Sequence, residues 1–332
     1  MPPLPPTANP LPRLITYYQT HHDASGKSIS ILPLLMQPGI SLTHVIVAAI
    51  HINSEPNALT LNDHPPDHPR FQTLWAELRI LQASGIKVMG MLGGAAKGSY
   101  ERLDGSDEQF ERFYLPVRDL VRDRNLDGID LDVEEKMSLG GIIRLIDRLR
   151  ADFGKDFIIT LAPVAAALLD SRANLSGFDY EALEVMRGRD ISWYNTQFYC
   201  GWGDISNTRM YDVMMERGWP VQKVVVGVVT HPDNGSGFVP FEMLPEVIGT
   251  LKRMYGQFGG IMGWEYFNGM PGGRERPWEW ARQMTTMLRG DTTEPTPAAE
   301  AEPAPAVADI DGDSPHISLV PDPFTYHSEA DE

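Results

Sequence analysis

Three carboxylic acids alternate with three aliphatic residues in the run Asp127-Gly128-Ile129-Asp130-Leu131-Asp132-Val133-Glu134-Glu135. Asp130, Asp132 and Glu134 take every second position, and Ile129, Leu131 and Val133 fill the places between. Strand residues two apart share a face, so the spacing predicts a strand with one acidic and one aliphatic side. Carboxyls crowded on a buried face repel one another and lose hydration, which raises the pKa of at least one of them. A raised carboxyl pKa is what a general acid requires. Two other readings fit the same residues: a magnesium or calcium site, since hard cations prefer oxygen ligands, or a structural acidic cluster. An EF-hand loop does not fit, because its hydrophilic spacers and its glycine placement are missing.

A strand of this kind needs neighbours. Apolar runs rich in Val and Ile recur at 14–18, 44–50, 86–92, 128–133, 157–162, 191–199, 224–229 and 260–266. Several lack polar alternation, as parallel strands buried on both faces do. Helical patterns fall between them, at 70–84, 106–121, 139–153, 179–187, 207–217, 241–256 and 277–289. In the clearest, Leu139, Ile142, Ile143, Ile146, Leu149 and Phe153 form one apolar stripe, and Gly154 stands at the C-cap position. Ser106 with Gln109 three residues later has the spacing of a capping box. Pro116 inside that helix predicts a kink or an early end. Eight strands, each followed by a helical pattern except the first, predict an α/β fold of the (β/α)8 TIM-barrel type. A doubly wound sheet is the alternative, but neither a G-x-G-x-x-G turn nor a P-loop supports a nucleotide-binding form. In a barrel, catalytic residues gather at the C-terminal ends of several strands, and the acidic strand is the fourth of eight.

The 332 residues carry a net charge of -17, but eleven of the acids lie in 291–332, which has no Lys or Arg. With seven prolines and an alanine-rich run, 290–332 is expected to be a disordered tail, and the proline-rich 1–12 another. The catalytic barrel is then 13–289. An acidic chain has no attraction for nucleic acid or for anionic membranes. One cysteine, Cys200, excludes a disulfide framework and a cysteine zinc site. Residues 1–12 lack the features of a secretory signal, which sets the expectation of a cytoplasmic protein. The sequons at Asn174 and Asn234 then read as chance matches.

Asp127-Gly-Ile-Asp130-Leu-Asp132-Val-Glu134 resembles the D-x-x-D-x-D-x-E signature of family 18 glycoside hydrolases, the chitinases and endo-β-N-acetylglucosaminidases. Strand three ends Met91-Leu92-Gly93-Gly94, similar to the family's S-x-G-G with Met91 in place of Ser. Strand six ends Gln197-Phe198-Tyr199-Cys200, similar to the Q-F-Y-N of the plant and fungal class III type with Cys200 in place of Asn. Strand eight carries Trp264, where the family places the tryptophan under the -1 sugar, and Tyr17 matches an aromatic on strand one. The resemblance spans 13 to about 289.

That resemblance implies a substrate-assisted reaction on a partner containing N-acetylglucosamine, with no cofactor and no metal. Glu134 is then the general acid and base, Asp132 orients the substrate acetamido group, and Asp130 supports Asp132. Tyr199 is implied as a donor to the acetamido carbonyl, with Tyr17, Gly93, Gly94, Gln197 and Trp264 in the substrate site. A cis peptide at Trp264-Glu265 is implied too. Asp127 and Glu135 have the opposite parity to the three acids, so Asp127 is expected to brace the strand entry and Glu135 to make a surface or wall contact. His51 and Asn53 are candidates for the cleft wall, and His64 and His68 read as a solvated loop. The short segment 231–241 after strand seven predicts an open groove without an inserted domain. Chitin oligomers and N-glycan cores both fit such a groove. A catalytically silent lectin and a metal-dependent hydrolase are the competing classes; the lectin is disfavoured because the acid Glu134 is present.

Overall fold

Strands form where the apolar runs predict them: β1 (Arg13–Tyr18), β2 (His44–His51), β4 (Lys87–Gly93), β5 (Gly128–Asp132), β6 (Ile158–Leu161), β7 (Trp193–Gln197), β8 (Val224–Val229) and β9 (Gly260–Trp264). A two-residue β3 (Thr60–Leu61), too short to leave a sequence signal, runs antiparallel to β2. The other eight pair in parallel in the order β1-β9-β8-β7-β6-β5-β4-β2, and β1 pairs again with β2. The sheet therefore closes into an eight-stranded barrel. This computed structural model describes residues 11–290; the expected tails at 1–10 and 291–332 lie outside the described residues.

The surrounding helices are α1 (Pro33–Met36), α2 (Gln72–Ala83), α3 (Ser99–Leu103), α4 (Asp107–Asp123), α5 (Leu139–Phe153), α6 (Tyr180–Arg187), α7 (Arg209–Glu216), α8 (Leu244–Met254) and α9 (Glu279–Arg289). The first crossover holds only the single turn α1, in keeping with the missing helical pattern there. Helix α5 begins at Ser138, whose hydroxyl accepts from the Gly141 amide at 2.9 Å, and ends at Gly154 with a φ of 77°. Its stripe of Ile142, Leu145, Ile146 and Leu149 is buried. Ser106 caps α4 by accepting from the Gln109 amide, but the Gln109 side chain donates to the Arg102 carbonyl rather than closing the box. Of the kink or early end expected at Pro116, the early end does not occur: α4 runs through the proline. The amide that proline lacks would have met the carbonyl of exposed Arg112, which water can reach. Meanwhile buried Phe110, Phe113, Tyr114, Val117, Leu120 and Val121 hold both halves on one apolar face.

The core has two shells. Ile129, Leu131 and Val133 join the larger one between barrel and helices. The smaller fills the barrel itself with Ile15, Ile46, Met89, Met91, Val225 and Met262. At the N-terminal mouth, Arg13 is 9% exposed, lies 4.3 Å over the Trp193 ring, and donates to the carbonyls of Gln222 (2.8 Å) and Gly259 (3.2 Å). Burial lowers its pKa to about 10 and lowers that of neighbouring His44 to about 3. The polar residues left inside lie at the opposite, C-terminal mouth. Among the described residues, no helix is long and apolar enough to cross a membrane.

Candidate active site

Asp130, Asp132 and Glu134 rise along β5 and just past its end, on the face opposite the aliphatics. Asp130 is 0% exposed. Its Oδ2 accepts from the Tyr17 hydroxyl at 2.7 Å, and its Oδ1 from the Thr160 hydroxyl at 2.6 Å and the Asn195 amide at 3.0 Å. Burial raises its pKa while these three donors favour the charged form; burial wins. Asp132 is 6% exposed, and its pKa is pushed well above the ordinary 3.8, first by burial, then by the charges of Glu134 and Asp130. The Gln197 side-chain amide shares its hydrogens among the Ala162 carbonyl (2.9 Å), Asp132 Oδ1 (3.3 Å) and Glu134 Oε1 (3.3 Å). One amide thus holds the two outer carboxyls together from a neighbouring wall. A cation on these acids would have to displace donors from Tyr17, Thr160, Asn195 and Gln197. Among the described residues, no group of three His, Cys, Asp or Glu is arranged to hold a metal.

The other implied residues surround this stack. Tyr17 meets Trp264 edge-on with ring centroids 5.4 Å apart, and the Trp264–Glu265 peptide is cis. Burial and the acid charges raise the phenol pKa of Tyr17 and of Tyr199 well above 10.0, so both remain protonated donors. Gly93 and Gly94 have φ values of 93° and 92°, a region closed to most side chains. A Cβ on Gly93 would collide with the Tyr100 ring and the Asp132 carbonyl, and one on Gly94 would stand 3.5 Å from Asp132 Oδ2. Met91 is buried inside the barrel, and Cys200 is exposed with a φ of 56°. From Thr230 to the start of α8 at Leu244 the chain holds only a short turn, with no inserted domain.

Asp127 braces the strand entry as expected, accepting from the Val88 amide (2.9 Å), Lys87 (2.9 Å) and Gln82 (2.9 Å). Of the surface or wall contact expected for Glu135, the structure shows the wall contact. The residue is 8% exposed and accepts from the amides of Gly98 (2.7 Å) and Tyr100 (2.8 Å), at the start of α3. His51 and Asn53 line a cavity of about 650 Å³ beside the stack, with His64. His64 stacks on His68 at 4.7 Å. Asn234 is not free for modification: its amide pairs with that of Asn268 at 2.9 and 2.8 Å.

Sequence reasoning missed Thr160, Asn195 and Glu265. Thr160 is the one polar residue in Ile158-Ile159-Thr160-Leu161, and Asn195 stands two before Gln197 on the same strand face. Those signals were present in the parity of β6 and β7. Glu265 is buried and accepts from the amides of Gln19 (3.1 Å), Thr20 (2.8 Å) and Tyr266 (2.8 Å), which no local pattern announces. It ties the turn after β1 to the turn after β9.

The chain is 53% identical to a fungal endo-β-N-acetylglucosaminidase of known structure, with a TM-score of 0.82 over 84% of this chain and 99% of that one. It is 55% identical to the chitinase ChiC from Aspergillus fumigatus, with a TM-score of 0.76 over 82% and 98%. "Chitinase 2" of Rhizopus oligosporus is 30% identical over 208 residues, covering 57% of this chain and 36% of that protein. "Chitinase 1" of Rhizopus niveus is 26% identical over 210 residues. The chain thus spans two fifths or less of the length of these two curated relatives. The profile of glycosyl hydrolases family 18 matches residues 13–236, and the chain belongs to that family.

Proposed function

We propose that this protein is a glycosidase that cuts β-1,4 bonds next to N-acetylglucosamine in chitin or chitooligosaccharides, with retention of configuration. The observation that carries this reading is the Asp132–Glu134 pair bridged by Gln197 above a fully buried Asp130. Glu134, half-buried at the strand end, protonates the leaving glycosidic oxygen. The substrate's own acetamido oxygen attacks the anomeric carbon, giving an oxazolinium ion and taking the place of an enzyme nucleophile. Asp132 holds the acetamido N–H and faces the developing positive charge; its high pKa lets it exchange a proton with Asp130 as that charge appears. Tyr199 donates to the acetamido carbonyl, and Trp264 against Tyr17 provides the apolar floor for the sugar. Glu134 then takes a proton from the water that opens the ring.

The test is turnover of chitohexaose followed by NMR of the first product. The β-anomer should form first, and Glu134→Gln should lower kcat by about 10²- to 10⁴-fold while binding persists. An α-anomer, or undiminished turnover in the variant, overturns the mechanism. Binding without turnover in the wild type points to a lectin instead, and loss of activity in chelator to a metal-dependent hydrolase. The 53% identity to an endo-β-N-acetylglucosaminidase favours a second reading, cleavage of N-glycan cores. Release from a glycoprotein of glycans ending in one N-acetylglucosamine, with chitohexaose left intact, would select it.

A further inference from the structure

The cavity of about 650 Å³ opens over the C-terminal ends of β1, β2 and β4, beside the acids but apart from them. Gln19 and Thr20, which lead from Tyr17, form one wall, and Ala96 and Lys97, which follow Gly94, form another. Its charged lining is Arg70, Lys97 and Arg102 against a single acid, Asp63. Among the described residues, no carboxylate forms an ion pair with any of these three cations. The cationic excess here has the opposite sign to residues 1–290 as a whole, whose net charge is -6. The lining presents no exposed Trp, Tyr or Phe for a neutral sugar ring to pack on, since its Phe71 is buried. His21 lies behind this lining. Its Nε2 donates to the Tyr18 carbonyl at 3.0 Å, burial holds its pKa near 3, and its buried Nδ1 has no partner.

We infer that this cavity binds an anionic unit, a carboxylated or phosphorylated sugar, of the same glycan chain whose bond is cut at the acids. The inference rests on the proposed hydrolysis and narrows its substrate: a neutral chitin chain leaves the three cations without a counter-charge, whereas an acidic sugar supplies one. Guanidinium groups suit either anion, since their fork of donors matches carboxylate and phosphate oxygens alike.

The test compares chitohexaose with 6-carboxylated chitohexaose and chitohexaose 6-phosphate. The wild type should favour the anionic substrates in kcat/KM by about tenfold at low ionic strength, and the preference should shrink toward unity at about 1 M salt. In the double variant Arg70→Gln/Lys97→Gln the ratio of anionic to neutral should fall to near one. The carboxylate and phosphate arms identify which anion the site takes. A wild-type ratio of one or less, or a preference that survives the double variant, overturns the inference. If no oligosaccharide is turned over, the proposed hydrolysis fails, but Kd values measured on Glu134→Gln still read the anion preference directly.

Discussion

Asp132 is stabilised in its protonated form by surroundings that the unfolded chain does not have. Burial and the charges of Glu134 and Asp130 raise its pKa, so the folded protein holds this proton to higher pH than the unfolded chain does. Its contribution to stability is therefore fully present below 3.8 and is lost as pH climbs through the raised folded value. Asp132→Asn removes the ionisation. The variant should melt at a higher temperature than the wild type at pH 7, with the gap closing as pH falls toward about 4. A Tm difference that is flat across this range would show that the carboxyl is not perturbed. Stability gained in this way is expected to accompany lost turnover, as is common where a site is held against its own electrostatics.

At the scale of elements, the acids depend on how loops are tied to strand ends. The β4–α3 connection turns through Gly93 and Gly94, and Glu135 then receives the Gly98 and Tyr100 amides. Replacing Glu135 by Ala strands two buried amides and should cost about 3 kcal/mol, measured by urea unfolding. Glu135→Gln keeps one acceptor and should cost less. If both variants match the wild type, the carboxylate is not what holds this connection. Glu265 does the equivalent work across the closure, with three amides from two turns. Asn195 and Thr160 belong to this scale as well: each is an ordinary strand residue until β6 pairs with β5 on one side and β7 on the other and both side chains reach Asp130.

The whole molecule is a barrel whose two mouths are chemically distinct. Acids and their donors fill the C-terminal one, and Arg13, His44 and Trp193 plug the other. Arg13 on β1 reaches the carbonyls of Gln222 and Gly259, which precede β8 and β9, so it pins the strands where the barrel closes. Arg13→Ala should therefore destabilise the fold by about 3 kcal/mol in urea while leaving turnover per folded molecule intact, because the plug and the acids occupy opposite ends. A selective loss of kcat with unchanged stability would mean that the two ends are coupled.

Strand positions, most helix positions and the orientation of Asp130, Asp132 and Glu134 were legible in the sequence, because hydrophobic period and side-chain parity are local properties of a chain. The early end allowed for at Pro116 does not occur, since local propensity does not know that a well-packed apolar face carries the helix past the proline. For Glu135, parity told which way it points from the strand but not that the Gly98 and Tyr100 amides at the start of α3 meet it there. Only closure of the barrel, with β1 beside both β2 and β9, brought Tyr17, Thr160, Asn195 and Gln197 around one column of acids. Pairing of β2 with β4 set Arg70, just before α2, near Lys97 and Arg102 of the segment that follows β4, around one cavity. Those arrangements depend on residues far apart in the chain, and distance along a sequence says nothing of distance in space until the strands pair.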